Sequence, residues 1–222
     1  MSSGDHAPDA PRALSKARME GFSDGVFGFA ITLLVLDLAI RGSGTPLQQL
    51  LDGWPSYAAY VISFLTIGAA WLGHTAMTDE LDRADRILLR INLLLLMMVV
   101  FLPYPTRLFA VAFNKADAFN KLSDERVFVT LYGLTLLVIR VLLFALDAYA
   151  KHAQLYSSER QDQDLSTERR KRLPTLAAYA IAILIGLAWP ILAMTMYFGI
   201  ALYVVVPFRE VARAFRRSEP QP

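Results

Sequence analysis

Three side chains able to carry charge or to hydrogen-bond strongly, Arg18, Ser23 and Asp24, stand at the mouth of an apolar run from Gly25 to Leu36. If that run enters hydrocarbon, a guanidinium and a carboxylate at its end need partners, because ionised groups at membrane depth are costly. Such groups mark either a lock between helices or a path for ions. A second pair, Trp71 and His74 in Trp71-Leu72-Gly73-His74, can supply those partners. Trp71 donates one indole N–H, and neutral His74 offers one donor and one acceptor. Three residues apart on a helix, they lie on adjoining faces.

A helix must position the first set. At 100° per residue, Phe22, Gly25, Val26, Phe29, Thr32, Leu33 and Leu36 share one face, while Asp24 and Ser23 fall well outside it on opposite sides. Two readings follow. The apolar face packs against another helix or lipid while Asp24 finds a partner inside the bundle. Alternatively, several copies of the face surround an axis and Phe29, Leu33 and Leu36 form a constriction that gates by dewetting, with Thr32 the hydroxyl able to touch a passing ion.

The chain has 222 residues, 55% hydrophobic and 19% charged, with a mean hydropathy of +0.39. The apolar residues come in long blocks instead of a 3.6-residue stripe, which is the pattern of an all-α integral membrane protein. A net charge of only +2 excludes a broad basic face for nucleic acid. Cysteine is absent, so disulfides and thiolate metal sites are excluded. No phosphate-cradling glycine loop and no HExxH zinc motif is present, and no cofactor or resident metal is expected.

Hydropathy predicts six transmembrane helices: 19–40, 55–76, 86–102 (ending before Pro103 and Pro105), 126–148, and two more between 174 and 207 divided at Pro190, since proline cannot donate inside a helix. With the N-terminus inside, cytoplasmic segments hold fifteen Lys/Arg against five outside (Arg41, Arg107, Lys115, Lys121 and Arg126). The run Arg169-Arg170-Lys171-Arg172 is the strongest element of that bias. Both termini are then cytoplasmic and the chain is multi-pass in the cell membrane. Residues 1–16 read as a disordered cytoplasmic tail, 17–208 as the transmembrane domain and 209–222 as a cytoplasmic tail. A cleaved signal peptide is disfavoured by Glu20, Asp24 and Asp37 in or beside the first apolar run. Asp37 reads as a solvated helix-end residue or as part of an outer carboxylate ring. Arg90 can snorkel to the interface. Arg140 lies deeper and wants a carboxylate, for which Asp147 on the same helix is a candidate but a distant one.

The pattern R-x-x-x-F-S-D (Arg18, Phe22, Ser23, Asp24) followed by G-V-F-x-x-A-I-T-L-L resembles the signature of the transmembrane protein 175 family of potassium-permeable channels. The match runs from Arg18 through Ala39 and again through Trp71–His74. The resemblance implies a homotetramer whose first helices surround the pore, with itself, lipid and K+ as partners. It implies an apolar constriction five, nine and twelve residues after the motif Asp, here Phe29, Leu33 and Leu36, and a selectivity threonine eight after it, here Thr32. It also implies a structural polar network of Arg18, Phe22, Ser23, Asp24, Trp71 and His74. The chain departs from the family at Phe29, where Ile or Leu is usual. Modest K+ over Na+ selectivity follows, since no TVGYG filter is present.

Two other classes compete. A secondary, proton-coupled transporter places carboxylates at the midplane and shows inverted repeats, and neither is visible here. A membrane enzyme needs clustered His, Asp or Ser, yet of the three histidines His6 and His152 lie in tail and linker. The reading is therefore a channel and no enzyme.

Overall fold

The computed structural model describes residues 16–38, 45–114, 121–157 and 165–205. The two tails 1–15 and 209–222 and most of the linker after Ser157 lie outside the described residues. Within them the chain is helical: α1 (Lys16–Val35) closes in a 3₁₀ turn (Leu36–Leu38), followed by α2 (Pro46–Asp52), α3 (Trp54–Thr78), α4 (Arg86–Phe101), α5 (Pro103–Asn114), α6 (Lys121–His152), α7 (Leu165–Gly186) and α8 (Pro190–Val205).

Each boundary has a local cause. Thr45 caps α2 through its side chain, which accepts the Gln48 N–H while Gln48 reciprocates, and Pro46 follows at the first helical position. Asp85 caps α4 by accepting the Leu88 N–H at 2.8 Å. Pro190 opens α8 after the turn at Leu187–Trp189, so the expected division of the last apolar block is present.

The third predicted helix ends at Phe101, before Pro103 as expected, but a further apolar helix follows at once that the sequence reading did not foresee. Leu102 keeps a helical backbone (φ −56°, ψ −37°) and α5 begins at Pro103 itself, so apolar helix continues from Arg86 to Val111. The physical reason is that prolines at the first positions of a helix lack only N–H groups that would be unpaired anyway. The fourth span is longer than 126–148, and α2 answers to no predicted element.

Three helical runs, Trp54–Thr78, Arg86–Val111 and Glu125–His152, are long and apolar enough to cross a membrane, and Pro174–Gly186 and Pro190–Val205 are shorter apolar helices. One continuous hydrophobic core joins α1 and α3–α8. Helix α3 runs through its middle, packing on α1, α5, α6 and α8. At one end the loop after α3 meets the segment after α6. Asp82 N–H donates to the Leu155 carbonyl at 2.9 Å, Ser157 N–H donates to Glu80 at 3.1 Å, and Tyr149 donates to Asp85 at 2.5 Å. The start of α1 is tied to the same end, where Lys16 Nζ donates to the Asp79 carbonyl at 2.8 Å.

Candidate functional site

Helix α1 divides cleanly by burial. Met19, Ser23, Phe27, Ala30 and Leu34 are buried, at spacings of four, four, three and four, which is one stripe of an α-helix turned to the bundle. The opposite face is left uncovered: Phe22 and Phe29 are each 57% exposed and Leu36 67%. Gly25 and Thr32 are exposed beside them, whereas Val26 and Leu33 are half-buried. Five of the seven residues grouped on the helical wheel are therefore exposed, while Val26 packs against the core and Leu33 is half-buried, and the 3₁₀ turn takes Leu36 out of strict α-helical register. Thr32 donates its hydroxyl proton to the Phe29 carbonyl at 2.7 Å. Its oxygen lone pairs are thereby left as acceptors, the polarity a cation needs.

The polar residues sort into two groups instead of one lock. The buried group is a chain of neutral hydrogen bonds. Ser23 donates to the Met19 carbonyl at 2.8 Å, Asn92 Nδ2 donates to Ser23 Oγ at 2.9 Å, and His74 Nε2 meets Asn92 Oδ1 at 2.9 Å. With the Asn92 oxygen as acceptor, His74 Nε2 carries the proton. Ser23 is 0% exposed, His74 1% and Asn92 2%, so this chain ties α1, α3 and α4 together away from any solvent. Phe27 lies against the His74 ring with centroids 5.6 Å apart.

The second group lies on the protomer surface. Trp71 Nε1 donates to Asp24 Oδ1 at 2.9 Å, with both residues exposed. Arg18 is exposed and makes no hydrogen bond or ion pair among the described residues. Of the residues expected to form one polar network, Trp71 and Asp24 pair directly, while Ser23 and His74 join through Asn92. The motif's charges stay outside, and the interior carries only uncharged partners, which avoids the cost of burying an ion.

Asn92 is the residue that sequence reasoning missed. Its signal was visible: one amide inside Ile91-Asn92-Leu93, where an apolar surrounding demands partners. A second internal network was also unforeseen, in which Ser63 meets Thr106 at 2.8 Å and Tyr132 at 3.0 Å. Among the described residues, no three His, Cys, Asp or Glu stand together as a metal site.

The family profile described as endosomal/lysosomal potassium channel TMEM175 matches residues 18–103. A protein of Streptomyces collinus named as a potassium channel is 35% identical over 205 residues, covering 88% of this chain and 96% of the relative. The chain belongs to the TMEM175 family. The profile's span holds α1, α3 and α4, the helices joined by Ser23, His74 and Asn92. The crystal structure of a lysosomal potassium-selective channel TMEM175 homolog from Chamaesiphon minutus superposes with a TM-score of 0.71 at 29% identity, over 85% of this chain and 95% of that one. The chicken (Gallus gallus) protein, named an endosomal/lysosomal proton channel TMEM175, is 36% identical over 101 residues, which are 40% of this chain and 20% of that protein. The TMEM175 fold is thereby established for this all-helical membrane protein.

Proposed function

We propose that this protein is a potassium-permeable cation channel. In this reading it is a homotetramer of six-helix subunits in the cell membrane, with both termini cytoplasmic and α1 of each subunit around the axis. The observation that carries the reading is the outward face of α1. Phe22 and Phe29 at 57% and Leu36 at 67% exposure are left without cover by their own chain, and Thr32 lies between them. Apolar residues left uncovered together mark a surface that meets lipid or another subunit.

Around an axis, Phe29, Leu33 and Leu36 form rings too apolar for a hydrated ion, so the pore conducts only when it widens enough to stay wet. Thr32 supplies the oxygen that replaces part of the ion's hydration. Selectivity built on one hydroxyl ring is modest. The Ser23–Asn92–His74 chain holds α1 in rotational register, so that this face and no other meets the axis. Asp24 and Trp71, with Arg18 nearby, brace the entrance at the protomer surface. No side chain has an enzymatic role in this scheme.

The test is the reversal potential of purified protein in planar bilayers under a K+/Na+ bi-ionic gradient. Unitary steps and a potential displaced toward the potassium equilibrium support the channel. Flux coupled to a proton gradient without unitary steps would replace it with a transporter.

A further inference from the structure

Helix α4 turns two cations outward. Arg86 and Arg90 are both exposed and stand about one turn apart, on the side of the helix away from the buried Leu88, Asn92, Leu95 and Val99. Neither guanidinium makes a hydrogen bond or an ion pair among the described residues. The neighbouring acid is already engaged, since Asp85 accepts the Leu88 N–H at 2.8 Å and the Tyr149 hydroxyl at 2.5 Å. Beyond the two cations the same face turns apolar. At 100° per residue Leu93, Met97 and Phe101 fall within about 60° of both, and they are 54%, 59% and 38% exposed. This apolar track continues for about 16 Å past Arg90.

The cations stand where the helix enters hydrocarbon. Arg86 opens the membrane-length run Arg86–Val111, and Arg90 lies about 6 Å along it. Helical side chains lean toward the N-terminal end, which carries both guanidiniums to headgroup depth. A cation at that depth is costly without an anion, and the planar guanidinium fork fits phosphate oxygens two at a time. The acids of α1 are already paired, Asp24 with Trp71 at 2.9 Å and Glu20 with Lys16 at 3.6 Å. The α1 of a second copy therefore brings no unpaired carboxylate to this face. A headgroup phosphate with its acyl chain attached answers both halves, the charge of the arginines and the apolar track beyond them.

We infer that the outward face of α4 binds an anionic glycerophospholipid, its phosphate held by Arg86 and Arg90 and an acyl chain laid along Leu93, Met97 and Phe101. Asn92, on the buried side of the same helix, bonds Ser23 and His74. A lipid seated here braces the helix by which α1 is held.

The experiment uses the full chain purified in detergent. Native mass spectrometry compares what the protein retains from phosphatidylglycerol, phosphatidylcholine or sodium phosphate at equal concentration. The expected result is saturable retention of phosphatidylglycerol where phosphatidylcholine and free phosphate leave nothing bound. Arg86→Gln and Arg90→Gln should each weaken retention about tenfold by removing one charge-assisted contact. Arg90→Lys, which keeps the charge and loses the fork, should weaken it less. The chain has no cysteine, so Met97→Cys places a single thiol on the track for a bimane label, which doxyl-labelled phosphatidylglycerol in liposomes should quench. Equal retention of phosphatidylcholine, free phosphate bound as tightly as the lipid, or retention unaltered in both glutamine variants would each overturn the site. A label that escapes quenching, or oxidised dimers of Met97→Cys, would make this face a protein contact and overturn it as well. No readout involves ion flux, so failure here leaves the channel reading where it stands.

Discussion

Asn92 is the residue on which the inner network depends, because it gives to Ser23 and accepts from His74 in one side chain. Asn92→Ala leaves two buried groups unpaired, and the expected loss is about 1–3 kcal/mol, read as a lowered Tm of the purified protein. Trp71→Phe is predicted to cost no more than about 1 kcal/mol, since water reaches Asp24 once the indole is gone. Equal destabilisation by both variants would show that the exposed pair is buried in the assembly. The contrast follows from exposure alone: Asn92 is 2% exposed and Trp71 39%. Sequence pattern brought out Ser23, Asp24, Trp71 and His74, yet it could not say which belonged together. Trp71 and His74 are one turn apart, and that small rotation sends one to the surface and the other to the core.

Among the elements, α1 and α6 are the informative ones. On α1, Phe29→Ala and Leu33→Ala are expected to raise unitary conductance by widening the constriction, and unchanged currents in both would remove these residues from the pore. Thr32→Val should reduce the K+/Na+ permeability ratio, measured from the bi-ionic reversal potential. On α6, a Cβ at Gly133 would overlap the Tyr197 hydroxyl and stand 2.7 Å from Ile183 Cγ1. Gly133→Ala therefore pushes α6 from α7 and α8, with an expected loss of about 1–3 kcal/mol and a lower yield of folded protein. Apolar length and proline position made most helices readable. They placed the end of α4 before Pro103 but missed that α5 starts there, because proline both ends helices and begins them.

The whole molecule is one helical bundle in which the charges of the motif are left at the surface and α1 offers an uncovered apolar face. The chain has no cysteine, so a single Phe29→Cys substitution places one thiol per subunit. If α1 surrounds an axis, that variant is expected to form oxidised dimers readily, whereas Val127→Cys, at a residue 61% exposed on α6, should not. The reverse result would place α6 at the axis instead. Hydropathy determined the membrane class and the division at Pro190, and the spacing of Arg18, Phe22, Ser23 and Asp24 pointed to the family, because these are properties of short stretches of chain. The tertiary structure alone decided that Ser23 and not Asp24 turns inward, that Asn92 bridges it to His74, and that Arg140 lies over the Tyr179 ring. Those partners are separated by tens of residues, and their meeting depends on how helices are rotated and packed, which no local pattern encodes.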